Sequence, residues 1–316
     1  MSGPPKPKSI AVVGSCFIDE ACFVPHMPQQ GETLLCNSYK KGFGGKGGNQ
    51  CVMVGKLGGD VRMVAMVGED ANGSAYVTNF ADHKVDTRFV LRSQLPTGLA
   101  QIWVDEAIGD NRIVVYEGAA GQLNVDAANN LLKDGCLDGV DIVVCQNEIP
   151  LDTTLHFLRV AHEGGKITMF NVAPARGSLP DACLGYVSVL VVNESEASQI
   201  SGVEVSCVQS ATSAATALQR RGARTVVVTL GAQGCVLLEE GVAEPEVLAC
   251  PKVEKVVDTS GAGDCWVGCF AYYLSVGKSM KECCRRAGEI ASVSVREKGT
   301  QASYPAASDL HPDLLS

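Results

Sequence analysis

Near the end of the chain, Asp258-Thr259-Ser260-Gly261-Ala262-Gly263-Asp264 runs directly into a helix-like segment from Cys265 to Leu274. The glycines there allow close backbone approach and unusual dihedrals. Amides presented at a helix N-terminus favour an anion. Asp264 then has two readings. It caps the helix and complements its dipole, or it is a general base beside an oxyanion site, which suits phosphoryl transfer to a hydroxyl.

A second glycine-rich loop, Phe43-Gly44-Gly45-Lys46-Gly47-Gly48-Asn49-Gln50, fails the Walker A spacing, and Gly47 follows its lysine where Ser or Thr is required. Gly42, Gly44 and Gly47 satisfy G-x-G-x-x-G. A dinucleotide fingerprint also needs a buried strand before it, and Ser38-Tyr39-Lys40-Lys41 is a poor one. The loop reads instead as a backbone surface closing on a polar, hydroxyl-rich ligand, with Lys46 and Asn49 as hydrogen-bonding groups.

Asp19 and Glu148 each follow an apolar run, near the strand ends where open α/β sheets bind ligands. A carboxylate there accepts hydrogen bonds from neighbouring sugar hydroxyls, or is a loop carboxylate in water. Asn193-Glu194-Ser195-Glu196 has capping-box spacing. The same Asn193 and Glu196 suit the ordering of waters around a phosphate-bound Mg²⁺, and the two roles are compatible. Thr229 and Gly231 end a further strand in a Gly-bearing turn, which either meets nucleotide phosphates or is a generic strand–turn signal. His156 and His162 lack the spacing of a zinc pair, and all five histidines read as structural or exposed.

The elements that position these groups alternate. Apolar runs at Ser9–Val13, Val61–Val67, Asp141–Cys145, Ile167–Phe170, Val187–Val192 and Thr225–Leu230 read as buried strands. Helical patterns at Asn49–Leu57, Ala71–Ala81, Asp152–Glu163, Glu194–Ser201, Val208–Arg221, Gly261–Leu274 and Ser279–Val295 lie between or after them. This order predicts an α/β fold, a central, mostly parallel sheet flanked by helices in a three-layer, Rossmann-type arrangement. Ala21–Gly42 and Thr87–Glu117 break the rhythm and read as short strands with a hairpin loop at Ile108-Gly109-Asp110-Asn111. They predict a small β-sheet lid, inserted within about 18–44 and 87–118 of a single domain spanning 1–316; a decorated edge of the main sheet is the alternative.

Composition narrows the function. A net charge of -9 argues against a broad nucleic-acid surface. The 14 cysteines form no Cys-x-x-Cys pair and read as packed or free thiols in a reducing compartment. Met1 to Lys8 lacks an apolar signal core, and no run approaches the roughly 18 apolar residues that span a bilayer. The expectation is a cytoplasmic protein, a nuclear or organellar one being the alternative, with no membrane and no nucleic-acid partner.

Together the motifs resemble the ribokinase members of the phosphofructokinase-B sugar kinase family, in order from Ile10 to about Pro305. Phe43 to Gln50 is similar to that family's first signature and Asp258 to Gly268 to its second; Gly31-Glu32-Thr33, Asn171-Val172-Ala173-Pro174-Ala175 and Lys298-Gly299-Thr300-Gln301 support it. The resemblance implies ATP-dependent phosphorylation of the 5-hydroxyl of D-ribose. It implies Asp264 as catalytic base, with Gly261, Ala262 and Gly263 as anion hole. Asp19, Gly45, Lys46, Asn49 and Glu148 then bind the sugar. Asn193, Thr229, Gly231, Gly263 and Gly288 bind the nucleotide, and Glu196 holds Mg²⁺ through water. It further implies K⁺ held by Asp258, Ser260, Ser294, Glu297, Gly299 and Ser303, mostly through carbonyls, and a homodimer formed through lid strands. The chain departs from the family pattern where Phe17 and Ala120 replace asparagines, where Gly288 replaces an adenine-side Asn, and where Val172 replaces a proline. Phe17 weakens discrimination against 2-deoxyribose, so a 2-deoxyribose or ribonucleoside kinase is the alternative. A non-catalytic sugar- or nucleotide-binding regulator and a nicotinamide oxidoreductase fit the intact Asp264 motif less well.

Overall fold

The computed structural model describes residues 7–177 and 179–315. Of the Pro- and Lys-rich Met1 to Lys8 stretch, only Pro7 and Lys8 fall within the described residues, and Ser316 lies outside them. The strands are β1 Ile10–Val13, β2 Phe17–Val24, β3 Ser38–Gly44, β4 Val61–Gly68, β5 Asp86–Ser93, β6 Gly98–Asp105, β7 Asn111–Tyr116, β8 Ile142–Cys145, β9 Ile167–Asn171, β10 Val189–Asn193, β11 Thr225–Thr229, β12 Cys235–Leu238 and β13 Glu246–Leu248. The helices are α1 Lys46–Lys56, α2 Ala71–Asp82, α3 Val125–Lys133, α4 Leu151–Glu163, α5 Asp181–Leu184, α6 Glu194–Ser201, α7 Val208–Arg220, α8 Ala262–Ser275, α9 Met280–Ser294 and α10 Pro312–Leu315.

Nine strands form the main sheet, in the order β13-β12-β11-β10-β9-β8-β1-β4-β5. From β11 to β5 every neighbouring pair is parallel; β12 and β13 add an antiparallel edge. Strands β1, β4 and β8 to β11 split their side chains between two cores. Ala11, Val13, Val143 and Val226 pack with α3, α4, α6 and α7. Ile10, Val12, Val144 and Val227 pack with α1, α2, α8 and α9. Burial on both faces is why these strands read as unbroken apolar runs. The expected α/β fold, with its mostly parallel sheet between helical layers, is the one observed.

A separate four-stranded sheet has the order β3-β2-β6-β7. Gly109, with φ +71°, turns the hairpin between β6 and β7 where the Gly-Asp-Asn sequence placed it. Part of the Thr87–Glu117 stretch, expected in the small sheet, does not join it, because β5 pairs in parallel with β4 and closes the edge of the main one. Helix α3 and strands β12 and β13 were not anticipated from the sequence.

The G-x-G-x-x-G reading also fails structurally. Its leading strand, β3, is a largely exposed member of the small sheet, antiparallel to β2, and not the first strand of a buried βαβ unit.

Candidate active site

Three helix N-termini and several parallel-strand ends converge on one cleft. Its cavity of about 220 Å³ is lined by Lys46, Asn171, Ala173, Val191, Asn193, Glu196, Thr229, Gly261, Gly263, Asp264 and Val267. Residues spread over more than two hundred positions thus share one surface, because β9, β10 and β11 end there while α1, α6 and α8 begin there. A larger cavity, about 360 Å³, lies between β13 and α9. It contains none of the expected site residues, and its charged groups are occupied with one another, Lys281 with Glu246 and Arg285 with Glu282.

Asp264 is the third residue of α8 and is buried. It does not cap the helix: the N-cap is Gly261, in the left-handed region at φ 73°, and no side-chain cap bond forms there. Instead the Asp264 carboxylate accepts from Asn49 Nδ2 at 3.0 Å and from Gln50 Nε2 at 3.0 Å. Gly261 is itself fixed, since its carbonyl accepts from the Tyr304 hydroxyl at 2.8 Å. Gly261 and Gly263 face the cavity, whereas the Ala262 amide turns back onto the Thr259 carbonyl at 3.2 Å. First-turn amides of a helix lack acceptors four residues back, so this corner is a natural seat for an anion.

Lys46 opens α1 directly after Gly45, whose φ of 81° is difficult for any residue with a Cβ. The Lys46 amide donates to Glu148 Oε2 at 2.7 Å, and the Ser15 hydroxyl donates to the same oxygen at 2.6 Å. The Lys46 ammonium is held above the ordinary lysine range, first by Asp264 and, against the effect of burial, by Glu148, Glu196 and Asp19. Burial pushes Glu148 up, with Lys46 pulling the other way. Burial, reinforced by Glu148 and Asp264, pushes Asp19 up to about 7. Asp19, on β2, packs its carboxylate over Gly44, where an added Cβ would lie 2.0 Å from Oδ1.

Asn49 is more constrained than a free sugar contact. It is 3 % exposed, one of its N–H groups goes to Asp264, and its Oδ1 accepts from Gln301 Nε2 at 3.0 Å. One N–H remains for a ligand.

Asn193 and Glu196 form the reciprocal capping box of α6, with both backbone-to-side-chain bonds at 2.9 Å. Both residues also line the cavity. Burial raises the Glu196 carboxyl, while the Asn193 amide and Lys46 pull it down. Its second oxygen suits an outer-sphere contact to Mg²⁺. Thr229 lines the cavity, but Gly231, in the turn after β11, and Gly288, on α9, do not. The Gly288 carbonyl accepts from the Cys250 thiol at 3.6 Å.

The expected K⁺ residues meet where two loops cross. Asp258 accepts from the Ser260 amide at 2.9 Å and from the Gly299 amide at 2.8 Å, and the Val257 and Asp258 amides both reach the Val295 carbonyl. The Ser294 and Ser303 hydroxyls donate to the carbonyls of Ala291 and Thr300. Both Asp258 carboxylate oxygens thus accept from amides; a set of main-chain carbonyls, as the resemblance implies for these residues, fits K⁺ better than Mg²⁺. Among the described residues no cluster of three or more His, Cys, Asp or Glu side chains is placed to hold a metal.

Phe17, 2 % exposed, is part of the apolar cluster that contains Ala119 and Ala120, and it packs on Gly98. Gln50, Tyr76, Gln146, Gln301 and Tyr304 were not expected at the site, although Gln50 and Gln301 belong to the motifs themselves.

The profile of the pfkB family carbohydrate kinases matches residues 7–307. A ribokinase from Mus musculus is 38% identical over 305 residues, 96% of this chain and 93% of that protein. A deoxyribokinase from Salmonella typhi is 32% identical over 297 residues, 94% of this chain and 95% of that protein. Among solved structures, the Arabidopsis thaliana ribokinase complexed with ribose and ATP superposes with a TM-score of 0.88 at 28% identity, covering 98% of this chain and 99% of that one.

Proposed function

The chain belongs to the pfkB family of carbohydrate kinases, and from that premise we propose that it transfers the γ-phosphoryl group of ATP to the 5-hydroxyl of D-ribose. The observation that carries the reading is the pairing of Asp264 with Gly261 and Gly263 on one cavity wall, facing Lys46. The sugar oxygen attacks the γ-phosphorus, its proton passes to Asp264, and the bond to the leaving ADP oxygen breaks. Gly261 and Gly263 lie where helix-terminal amides stabilise the charge on the transferring group. Lys46, held cationic by its carboxylate neighbours, balances the anions crowded there. Asp19 and Glu148 accept sugar hydroxyls, with Gly45 and Asn49 beside them. Asn193, Thr229, Gly231 and Gly288 mark the nucleotide side, and Mg²⁺, when bound near Glu196, supplies charge neutralisation at the phosphates. K⁺ at the crossing of the 258–260 and 294–303 loops would stiffen the backbone that carries Gly261.

The small sheet acts as a lid over the sugar. Its outer strands expose Tyr39, Ile113, Val114 and Tyr116, each about half exposed or more, and this apolar surface suits a homodimer formed lid to lid. No described helix is long and apolar enough to cross a membrane. All 14 cysteines are free, which suits a reducing, cytoplasmic setting.

The deciding experiment measures ADP formation by purified protein with ATP, Mg²⁺ and K⁺ over ribose, 2-deoxyribose, fructose and ribonucleosides. Ribose is expected to give the highest kcat/KM; no ribose-dependent ADP, or a strong preference for a nucleoside, overturns the assignment. A second reading, 2-deoxyribose, is favoured by one observation. Phe17 occupies the same face of β2 as Asp19 and adds no hydrogen bond that would penalise a missing hydroxyl.

A further inference from the structure

We propose that Gln50 and Gln301 are positioning residues for the Asp264 base: two buried amide chains, each anchored on a backbone carbonyl, deliver one N–H to each oxygen of its carboxylate. The inference deepens the kinase reading and rests on it for the role of Asp264.

The first chain starts at Val191. Its carbonyl can only accept, and it accepts from Asn171 Nδ2 at 3.2 Å. Asn171 must therefore turn Oδ1 toward Gln50, and Gln50 Nε2 donates to it at 3.0 Å. With its amide sense fixed, Gln50 directs its second N–H to Asp264 Oδ1 at 3.0 Å and accepts from Gln146 Nε2 at 2.7 Å. Gln50 and Gln146 are completely buried, so no water supplies an alternative. Gln146 Oε1 is left without a partner. Flipping Gln146 would set two carbonyl oxygens against each other at the 2.7 Å contact, so the orphan follows from the sense of the chain.

The second chain starts at Gly44. Its carbonyl accepts from the Tyr76 hydroxyl at 2.5 Å, which obliges that hydroxyl to accept from Gln301 Nε2 at 2.9 Å. Gln301 Oε1 in turn accepts from Asn79 Nδ2 at 2.8 Å. Gln301 gives its other N–H to Asn49 Oδ1, which turns Asn49 Nδ2 onto Asp264 Oδ2 at 3.0 Å.

Asp264 thus meets donors only. With one N–H on each oxygen, each oxygen keeps a lone pair for the incoming hydroxyl. Between them the two chains fix both carboxylate oxygens, through partners 215 and 214 residues distant in sequence.

The test compares wild type with Gln50→Leu, Gln50→Glu and Gln301→Leu. Turnover and KM for ribose and ATP are measured for each, and calorimetry reads ribose binding. Lys46 on α1, Asp19 on β2, Glu148 after β8, Glu196 on α6 and Tyr304 also face Asp264. They are common to every variant, so a difference in kcat reports the lost amide. In Gln50→Leu we expect kcat to fall roughly 10- to 100-fold with ribose KM nearly unchanged, as one N–H to the carboxylate is lost. Gln50→Glu keeps the size but sets a carboxylate beside Asp264 in place of a donor, and kcat falls at least as far. Gln301→Leu, which does not touch Asp264, lowers kcat in the same way and serves if Gln50→Leu fails to fold. Unchanged kcat, or a loss confined to ribose KM, in the folded variants overturns the proposal. A wild type that does not phosphorylate ribose overturns the functional reading instead.

Discussion

Asp19→Asn isolates the electrostatic tension among the buried carboxylates of the site. Burial, with Glu148 and Asp264 nearby, lifts Asp19 from an ordinary 3.8 to about 7 despite Lys46. A carboxyl raised on folding retains a proton that the unfolded chain releases near pH 4. Its contribution to stability is therefore complete below about pH 4 and is lost as pH rises through about 7. Between pH 5 and pH 7 the loss is two pH units at about 1.4 kcal/mol each, or about 3 kcal/mol. Asparagine keeps the size and polarity and cannot ionise. The stability of Asp19→Asn minus that of wild type should therefore rise by about 3 kcal/mol from pH 5 to pH 8, measured by urea denaturation without ligands. Groups shifted the other way cancel in the difference. Glu282, for example, is pulled down to about 2 by hydrogen bonds from Arg285 and Arg286 in both proteins. The same titration links to binding: if ionised Asp19 accepts sugar hydroxyls, wild-type affinity for ribose tightens from pH 6 to pH 8, and the variant loses that slope. A stability difference that stays flat or falls with pH refutes the argument.

Three further outcomes are expected. Asp264→Ala should lower kcat by roughly 10²–10⁴-fold, the usual worth of a general base, while calorimetric ribose binding stays largely intact; near-wild-type turnover would sink the mechanism. At matched ionic strength and saturating substrates, K⁺ should support faster turnover than Na⁺, and equal rates would remove the cation from the reading. Gly268→Ala should destabilise the fold by about 1–3 kcal/mol, seen as a lower urea midpoint. Its Cβ would lie 2.6 Å from the Met53 Cβ and 2.7 Å from the Gln50 carbonyl, forcing α8 away from α1, and an unchanged midpoint would contradict that packing.

Much of the fold was legible in the residues because of how it is buried. A parallel strand covered on both faces must be apolar throughout, so β1, β4 and β8 to β11 announce themselves as runs. Strand β5 does not: Asp86, Arg88 and Arg92 interrupt it, and it lies at an edge where polar residues are tolerated. Strands β12 and β13 are only four and three residues long, too short to show a period. Helix α3 is a nine-residue segment with Asn124 as its cap, and its apolar positions sit among small and polar ones.

The chemistry was legible to the same depth. The glycine-rich turns, the carboxylates at strand ends and the Gly-Ala-Gly-Asp motif at α8 can be read from residue types alone, because close backbone approach and helix-terminal charge require particular residues at fixed spacing. What those groups touch follows from the packed fold. It showed that Asp264 is no helix cap, that Ala262 turns its amide away from the cavity, and that Asp258 is bonded to amides. It also brought Gln50, Gln146, Gln301 and Tyr76 around Asp264. Amide side chains carry no periodic signature, and their partners here lie as many as 252 residues apart, so their pairing exists only once the sheet has stacked the helices that carry them.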